Sequence, residues 1–266
     1  MTQVDDQWLS DMGKVTTLAA VRNAHKALAS RQVPVVVVPP PVVTPPPVVT
    51  PPPSGGTYDR LLTGLVPASF SDFPASIAWK TQTYDYYTKV AGETIKNASI
   101  QSQTGNPSVI DAGGNYGGYT LLQSRIISRE GPRVDGGLVT IDGCYIEVDA
   151  QPGDHADCIQ CYQDGAGLVV KNSHLHVNGA GATGDFAADA SKGPITYDTV
   201  LVTAGPQTPG FGLRVNNDGA SRVDFRHVRV DPPSKWGNAP IYVMVPSMIG
   251  DWIDVTYTDG SPVPHP

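Results

Sequence analysis

The sequence predicts an all-β body, a right-handed parallel β-helix of about six coils, preceded by an N-terminal α-helix and a polyproline linker. Three observations support this fold class. A short segment recurs six times, Asp-Gly turns separate strand-like runs, and only 16% of the residues are charged while 28 are Gly. Low charge with much Gly favours a turn-rich β protein over a helical one.

The recurring unit has an apolar residue, a polar or Gly turn residue two places on, and a second apolar residue five places on. Its copies begin at Ile95, Leu122, Ile141, Val170, Tyr197 and Phe225, and these starts lie 27, 19, 29, 27 and 28 residues apart. Self-similarity at such a period is typical of a solenoid, in which each repeat packs on its neighbours. The unit with its flanking residues supplies three short strands per coil, as a parallel β-helix requires.

Composition argues against several classes of function. The net charge is −7 and no basic stripe is present, so no nucleic-acid partner is expected. No run of 18 apolar residues predicts a membrane span. The acidic first residues precede no apolar core, so no secretory signal is expected, and the three cysteines suit a reducing cytoplasm. No cofactor is expected.

Residues 1–32 predict an α-helix that Asp5 or Asp6 can cap, because a carboxylate also meets the positive end of the helix dipole. Two apolar stripes have coiled-coil spacing: Trp8, Met12, Val15 and Ala19 in one, and Leu18, Val21, His25 and Leu28 in the other. About three heptads are short for an isolated helix. The helix is therefore expected either to dock on a partner protein or to self-associate.

Residues 33–56 predict an extended linker, because they contain three Pro-Pro-Pro triplets and proline fixes φ and removes a backbone donor. At ~3.1 Å per residue, about 20 residues of polyproline II reach roughly 60 Å. A ligand segment for an SH3-type domain is the alternative, although no basic residue flanks the prolines.

Residues 57–266 are expected to form the β-helix body, with the repeats at about 94–231. The irregular, aromatic residues 58–90 are expected to cap the first coil. Residues 240–266 are expected to form a second cap, with strand-like runs at 241–245 and 252–257.

Stacking the coils aligns side chains in columns, because alternate residues of a strand face opposite sides. Two interior columns are expected: Ile146, Leu175, Val202 and Val230, and Ile141, Val170, Tyr197 and Phe225. Two outer columns are expected: Tyr145, His174, Leu201 and Arg229, and Glu147, His176, Thr203 and Asp231. The turn between the strands is expected to stack Asn97, Ser124, Gly143, Asn172, Thr199 and His227.

Two coils align over more than the six-residue unit. Residues 158–177 and 212–230 each pass from a strand through an Asp-Gly turn to a second strand, a polar turn and a third strand. Over residues 90–235 this pattern resembles the pectate-lyase-like β-helix superfold. The resemblance implies a fold and no particular activity, because that superfold hosts lyases, hydrolases, epimerases and adhesins.

The order of helix, proline stalk and β-rich body resembles that of bacteriophage minor tail proteins, tail fibres and tail spikes. The resemblance implies a structural virion tail protein, made in the host cytoplasm, that forms a homotrimer and docks on other tail proteins through its N-terminal helix. Its body would contact a host-surface glycan. The expected ligand-binding residues are Tyr145, Glu147, His174, His176, Arg229 and Asp231.

The alternative function is a polysaccharide lyase or hydrolase, that is, a tail-spike depolymerase. Asp154, His155 and Asp157 precede a strand, and His174 follows one coil later. Histidine serves as an acid or base near neutral pH, and a carboxylate tunes it. If the protein is an enzyme, these four residues are its expected site. In the competing interpretation, the aspartates bond turn backbone and the histidines are ordinary surface residues.

Two further motifs invite a site. Cys144, Cys158 and Cys161 with His174 and His176 suggest zinc, but opposite parity places Cys158 and Cys161 on opposite sides of a strand, so buried apolar roles are favoured and no metal is expected. The Gly-rich residues 179–184 precede no helix and lack Lys, which argues against a phosphate loop. With Asp185 and Asp189 nearby, they are expected to form an exposed, ligand-contacting loop.

Overall fold

The computed structural model of this chain describes residues 66–69, 71–81, 87–102, 104–105, 107–111, 117–161, 163–189, 191–216 and 219–266. The predicted N-terminal helix and polyproline linker lie outside these residues. Within the part of the chain that is described, no helix has the length and hydropathy needed to cross a membrane.

The described residues form a chain of short strands with two single-turn 3₁₀ helices, at Pro233–Lys235 and Pro246–Met248. The first strands in chain order are β1 (Lys80–Thr81), β2 (Tyr87–Lys89), β3 (Thr94–Lys96), β4 (Ala98–Ser102), β5 (Val109–Asp111), β6 (Thr120–Leu122), β7 (Arg125–Ser128), β8 (Arg133–Val134), β9 (Leu138–Asp142) and β10 (Tyr145–Asp149). The later strands are β11 (Gln160–Cys161), β12 (Ala166–Asn178), β13 (Thr183–Ala187), β14 (Lys192–Ala204), β15 (Phe211–Val215), β16 (Val223–Val230), β17 (Ala239–Val243), β18 (Ile249–Ile253) and β19 (Thr256–Tyr257).

The strands stack in parallel from coil to coil and form a right-handed parallel β-solenoid of about six turns. Face A contains β3, β6, β9, β18 and the first halves of β12, β14 and β16. Face B contains β1, β4, β7, β10, β19 and the second halves of the same three strands. Face C is the five-stranded sheet of β8, β11, β13, β15 and β17, and β2 pairs separately with β5.

A column of left-handed residues forms the corner between faces A and B. Positive φ angles of 45° to 65° occur at Asn97, Gln123, Gly143, Asn172, Thr199, His227 and Asp254. A left-handed residue turns the chain sharply without a loop, so β12, β14 and β16 continue across the corner. The predicted turn column is therefore confirmed at five of its six positions, and Gln123 replaces Ser124 at the sixth.

The strand register also corrects the predicted starting positions and number of the repeat copies. Leu121 pairs with both Ile95 and Ile141, so the second copy begins one residue earlier than the sequence suggested. A further copy begins at Trp252, which pairs with Phe225. The residues predicted as a C-terminal cap therefore continue the solenoid, because β17 extends face C while β18 and β19 extend faces A and B.

The interior contains the two predicted columns. All eight of their side chains are buried: Ile146, Leu175, Val202 and Val230, and Ile141, Val170, Tyr197 and Phe225. In the second column the rings of Tyr197 and Phe225 stack at 5.3 Å between centroids, and Phe225 meets Trp252 edge to face at 5.0 Å. Burial of these apolar surfaces is the main contribution to the stability of such a fold.

Residues 66–69 and 71–79, named here the strap, lie against face B. The Pro67 carbonyl contacts His174, and the Trp79 ring lies 4.2 Å from the guanidinium carbon of Arg125. The strap then leads into β1, which pairs with β4 at the start of face B. The segment that is predicted to cap the first coil thus contacts side chains of later coils, at Arg125 and His174.

Candidate functional site

The predicted outer columns have the expected register. Tyr145 pairs with His174, His174 with Leu201, and Leu201 with Arg229, while Glu147 pairs with His176 and His176 with Thr203. Their expected exposure is wrong for the first column, because Tyr145, His174 and Arg229 are 5%, 4% and 3% exposed. Alternation along a strand gives the direction of a side chain, and the strap and neighbouring loops then cover part of face B.

Most of the candidate ligand-binding side chains of face B bond other protein groups. The Tyr145 hydroxyl donates to Glu147 at 2.7 Å. The Arg229 guanidinium donates to the Asp254 carboxylate at 2.6 Å. Asp231 accepts bonds from the Ala204 amide and the Thr258 hydroxyl, at 2.9 and 2.8 Å. The bonds of Arg229 and Asp231 join successive coils, whereas the Tyr145 bond lies within one strand. All three engage polar groups that a ligand on face B would otherwise meet.

His174 and His176 share the Thr203 hydroxyl, each with a ring nitrogen 2.7 Å from its oxygen. A carbonyl only accepts, so the His174 Nδ1, 3.1 Å from the Pro67 oxygen, carries the proton. The hydroxyl then donates to the His174 Nε2 and accepts from the His176 Nδ1. Burial lowers the pKa of His174 to about 4, which keeps its ring neutral at pH 7.

Asp154 has a structural role in its loop. Its carboxylate accepts a bond of 2.9 Å from the Arg129 Nε and one of 2.8 Å from the Gln151 amide. The bond from Arg129 holds the pKa of Asp154 below its ordinary value. Such a carboxylate stays ionised and paired, which makes it a poor proton donor near neutral pH.

His155 and Asp157 lie together beside a second acid, Glu130. The His155 Nδ1 is 3.6 Å from the Asp157 carboxylate, and His155 is 59% exposed whereas Asp157 is 0% exposed. Burial raises the pKa of Asp157 above its ordinary value, and the nearby Asp157 carboxylate raises the pKa of His155. Burial, with repulsion from Asp157, raises the pKa of Glu130 to about 8.

The structure thus brings His155 and Asp157 together, joins Asp154 to Arg129, and places His174 under the strap on face B. Glu130 was missed by sequence reasoning. It follows β7 in a loop whose Gly131 amide bonds the Asp157 carbonyl at 2.8 Å, so its position depends on the stacking of two coils. A buried acid of this kind has no signature in the sequence.

The three cysteines are all buried within the solenoid. Cys158 and Cys161 both point inward, which corrects their expected opposite directions. Only Cys161 belongs to β11 while Cys158 precedes it in a bend, so strand alternation does not apply between them. Among the described residues no group of three or more His, Cys, Asp or Glu side chains is arranged to hold a metal ion.

Asp185 lies in the interior rather than in an exposed loop. It is completely buried, and its carboxyl accepts a short bond from the Tyr197 hydroxyl. Burial raises the pKa of Asp185 to about 7. Asp189 is exposed, as expected for a residue of a connecting loop.

Face C presents a row of aromatic and cationic side chains, named here the aromatic row: His155, Phe186, Phe211, Arg214 and Tyr242. Arg214 pairs with Phe186 on one side and Tyr242 on the other. Its guanidinium carbon is 4.9 Å from the ring centroids of both Phe186 and Phe211. His155 meets Phe186 at 5.4 Å, and Phe211 meets Tyr242 at 5.6 Å.

The aromatic row is the candidate binding surface on face C. The Phe186, Phe211, Arg214 and Tyr242 side chains are half-buried and His155 is exposed, so all of them reach the surface. Large aromatic side chains are most often buried, and a row of half-exposed rings beside an arginine is typical of binding surfaces.

Comparison with models of protein families gave no match. No curated protein and no solved structure matched either. The fold and the geometry of these surfaces are therefore the observations from which a function can be argued.

Proposed function

We propose that this chain is a structural bacteriophage tail protein, a minor tail protein or tail fibre, whose solenoid body binds host-surface glycan through the aromatic row. The proposal includes a homotrimer formed through the N-terminal helix, docking of that helix on other tail proteins, and a place in the virion tail. The solenoid supports it, together with the order of helix, proline linker and β body in the sequence.

The observation that carries the assignment of a glycan is the aromatic row. Sugar rings combine apolar C–H faces with many hydroxyl groups, so they bind where aromatic side chains lie among polar groups. Phe186, Phe211 and Tyr242 supply the rings, and Arg214, which pairs with Phe186, adds a polar group. Three of the six residues predicted as a site on face B, Tyr145, His174 and Arg229, are buried, so the proposed binding surface is face C.

An array of bacterial surface polysaccharides probed with the full chain tests this proposal. We expect binding that falls about tenfold or more in Phe186→Ala/Tyr242→Ala, because each aromatic contact contributes about 0.5–1.5 kcal/mol. Phe73→Ala is the control, since Phe73 packs on Trp79 away from face C. An absence of binding, or equal binding by the double variant, would overturn the proposal.

A polysaccharide lyase or hydrolase is the second candidate, and the acids beside His155 are the observation that favours it. Glu130, with a pKa of about 8, keeps its proton at neutral pH and suits donation to a leaving oxygen. His155, with Asp157 behind it, suits proton removal. His155 packs against Phe186 of the aromatic row, so a bound sugar chain would pass near it. Glu130 lies in the adjoining loop, whose Gly131 amide bonds the Asp157 carbonyl.

Incubation of the full chain with the polysaccharide that it binds distinguishes the two candidates. Catalysis releases new reducing ends, or unsaturated uronate with its ultraviolet absorbance. Either product should disappear in Glu130→Gln and in His155→Gln. Asp154→Asn is the control and should keep activity, because Asp154 lies in the same loop as His155 but pairs with Arg129. Release of neither product by the wild type would eliminate the enzyme candidate.

A further inference from the structure

We propose that the aromatic row selects sugars that carry an oxyanion, and that Arg214 and His155 bind this negative group. This inference rests on the proposed glycan binding and goes further, because it assigns the charge of the ligand and the residues that recognise it. A carboxylate, a phosphate ester and a sulfate ester on a sugar each present such a negatively charged oxygen group.

The first observation is that Arg214 lacks the kind of partner that four other arginines have. Arg129, Arg222, Arg226 and Arg229 each form an ion pair with an aspartate. Within the described residues Arg214 forms none, although the chain carries more acidic than basic residues. An arginine that is held in place and not neutralised has an open position for an external anion.

The second observation is the way in which Arg214 is held. Its Nε donates to the Asn216 side chain at 3.0 Å, and its guanidinium lies near the rings of Phe186 and Phe211. These contacts restrain the guanidinium group without using hydrogen bonds from its terminal nitrogens to other described residues. A restrained guanidinium with two available NH₂ groups matches a planar or tetrahedral oxyanion in a bidentate manner.

The third observation is an imidazole that packs on the same aromatic ring as the guanidinium. His155 is exposed and packs against Phe186, the ring that also contacts Arg214. The buried Asp157 stands behind His155 and favours its protonated form. A ligand at Phe186 therefore meets the Arg214 guanidinium and the exposed His155 imidazole on the outer side of face C.

The charge of the whole chain makes this recognition selective. The net charge is −7, so an anionic polymer is repelled from much of the surface. Attraction depends on local cationic groups, and at Arg214 charge complementarity fixes the position of the bound sugar. A neutral sugar would use the aromatic rings alone and would leave the positive charge of Arg214 without a partner.

The test uses the full chain and matched oligosaccharide pairs in calorimetric titration. The carboxylate arm compares an oligogalacturonate with its methyl ester, and the ester arm compares sulfated and phosphorylated oligosaccharides with the unmodified chain. We expect the anionic member of at least one pair to bind tenfold more tightly or better. Arg214→Gln should reduce this preference to near unity and keep the weaker binding of the neutral member.

Arg222→Gln is the matched control, because it removes the same charge from an arginine that pairs with Asp224 away from face C. It should keep the preference. Arg214→Lys, which keeps the charge and loses the planar fork, should give an intermediate ratio and replaces Arg214→Gln if that variant does not fold. Equal binding of charged and neutral members, or an unchanged ratio in both Arg214 variants, overturns this inference and leaves glycan binding intact. Failure of every glycan to bind overturns both.

Discussion

At the scale of single residues, the corner between faces A and B depends on left-handed backbone at non-glycine positions. Asn tolerates this conformation, whereas a β-branched residue is strained in it. Thr199 has a φ of 60°, and its hydroxyl donates to Asp198 at 3.1 Å, a weak local compensation. The corner therefore stores strain at Thr199 that its neighbour Asn172 in the column does not share.

Thr199→Asn should stabilise the body by about 1 kcal/mol, because Asn pays a smaller steric penalty in the left-handed region. The measurement is the midpoint of urea unfolding. Asn172→Thr is the reverse exchange at the preceding coil, and it should destabilise because the bond of 2.9 Å from Asn172 to Asp142 is also lost. Equal midpoints for both variants would contradict the strain argument.

Asp185 predicts a dependence of stability on pH. Its pKa in the folded protein is about 7, raised from 3.8, so between these values the folded state holds a proton that the unfolded state has released. The free energy of unfolding contributed by Asp185 is then highest below pH 4, falls as pH rises to 7, and is constant above. Glu130, with a pKa raised to about 8, acts in the same direction.

Asp185→Asn should remove the part of this slope that comes from Asp185. The Asn side-chain oxygen can still accept from Tyr197, and no charge is buried above pH 7. At pH 8 the variant should exceed the wild type by about 1–3 kcal/mol, with little difference at pH 4. Chemical unfolding at several pH values gives the comparison, and Asp189→Asn, at an exposed acid, should show no such pattern. A difference that does not vary with pH would argue against a buried neutral carboxyl.

At the scale of elements, face C depends on close contact between successive coils. A Cβ on Gly184 of β13 would lie 2.1 Å from the Gly212 carbonyl oxygen of β15. This distance is far inside van der Waals contact, so a side chain at residue 184 requires the two strands to move apart. The aromatic row lies on these same strands, and its spacing depends on that contact.

Gly184→Ala should therefore destabilise the body by about 2 kcal/mol or more, since backbone must shift in a packed structure. It should also weaken glycan binding by displacing Phe186. Gly105→Ala is the control, because nothing lies within 4 Å of a Cβ at that position. Thermal unfolding and binding of both variants test the argument, and a tolerated Ala at residue 184 would refute it.

The elements show why the sequence predicts the fold better than the site. The apolar columns follow from strand alternation, and both were correct. The second copy was misplaced by one residue because Leu121 and Leu122 both suit the apolar position. Trp252, Asp254 and Tyr257 carry the same pattern as the earlier copies, in a segment where the sequence predicts a cap. The site depends on which side chains become covered and which coils approach, and neither is encoded in local periodicity.

At the scale of the whole molecule, the arrangement of helix, linker and body remains a prediction. Light scattering of the full chain should give the mass of a trimer, and a chain lacking residues 1–56 should give that of a monomer. The reason is that the apolar stripes of the predicted helix provide the expected association surface. A monomeric full chain would contradict the coiled coil and leave docking on another tail protein as the role of the helix.

The strap has a consequence for the order in which this body is made. A ribosome releases the N-terminal end first, yet Pro67 bonds a histidine 107 positions further along the chain. The strap can therefore pack against face B only after the coils as far as His174 have formed and stacked. Contacts so distant in sequence slow folding. During synthesis the strap thus stays unpacked while the solenoid grows, and it packs against face B late in folding.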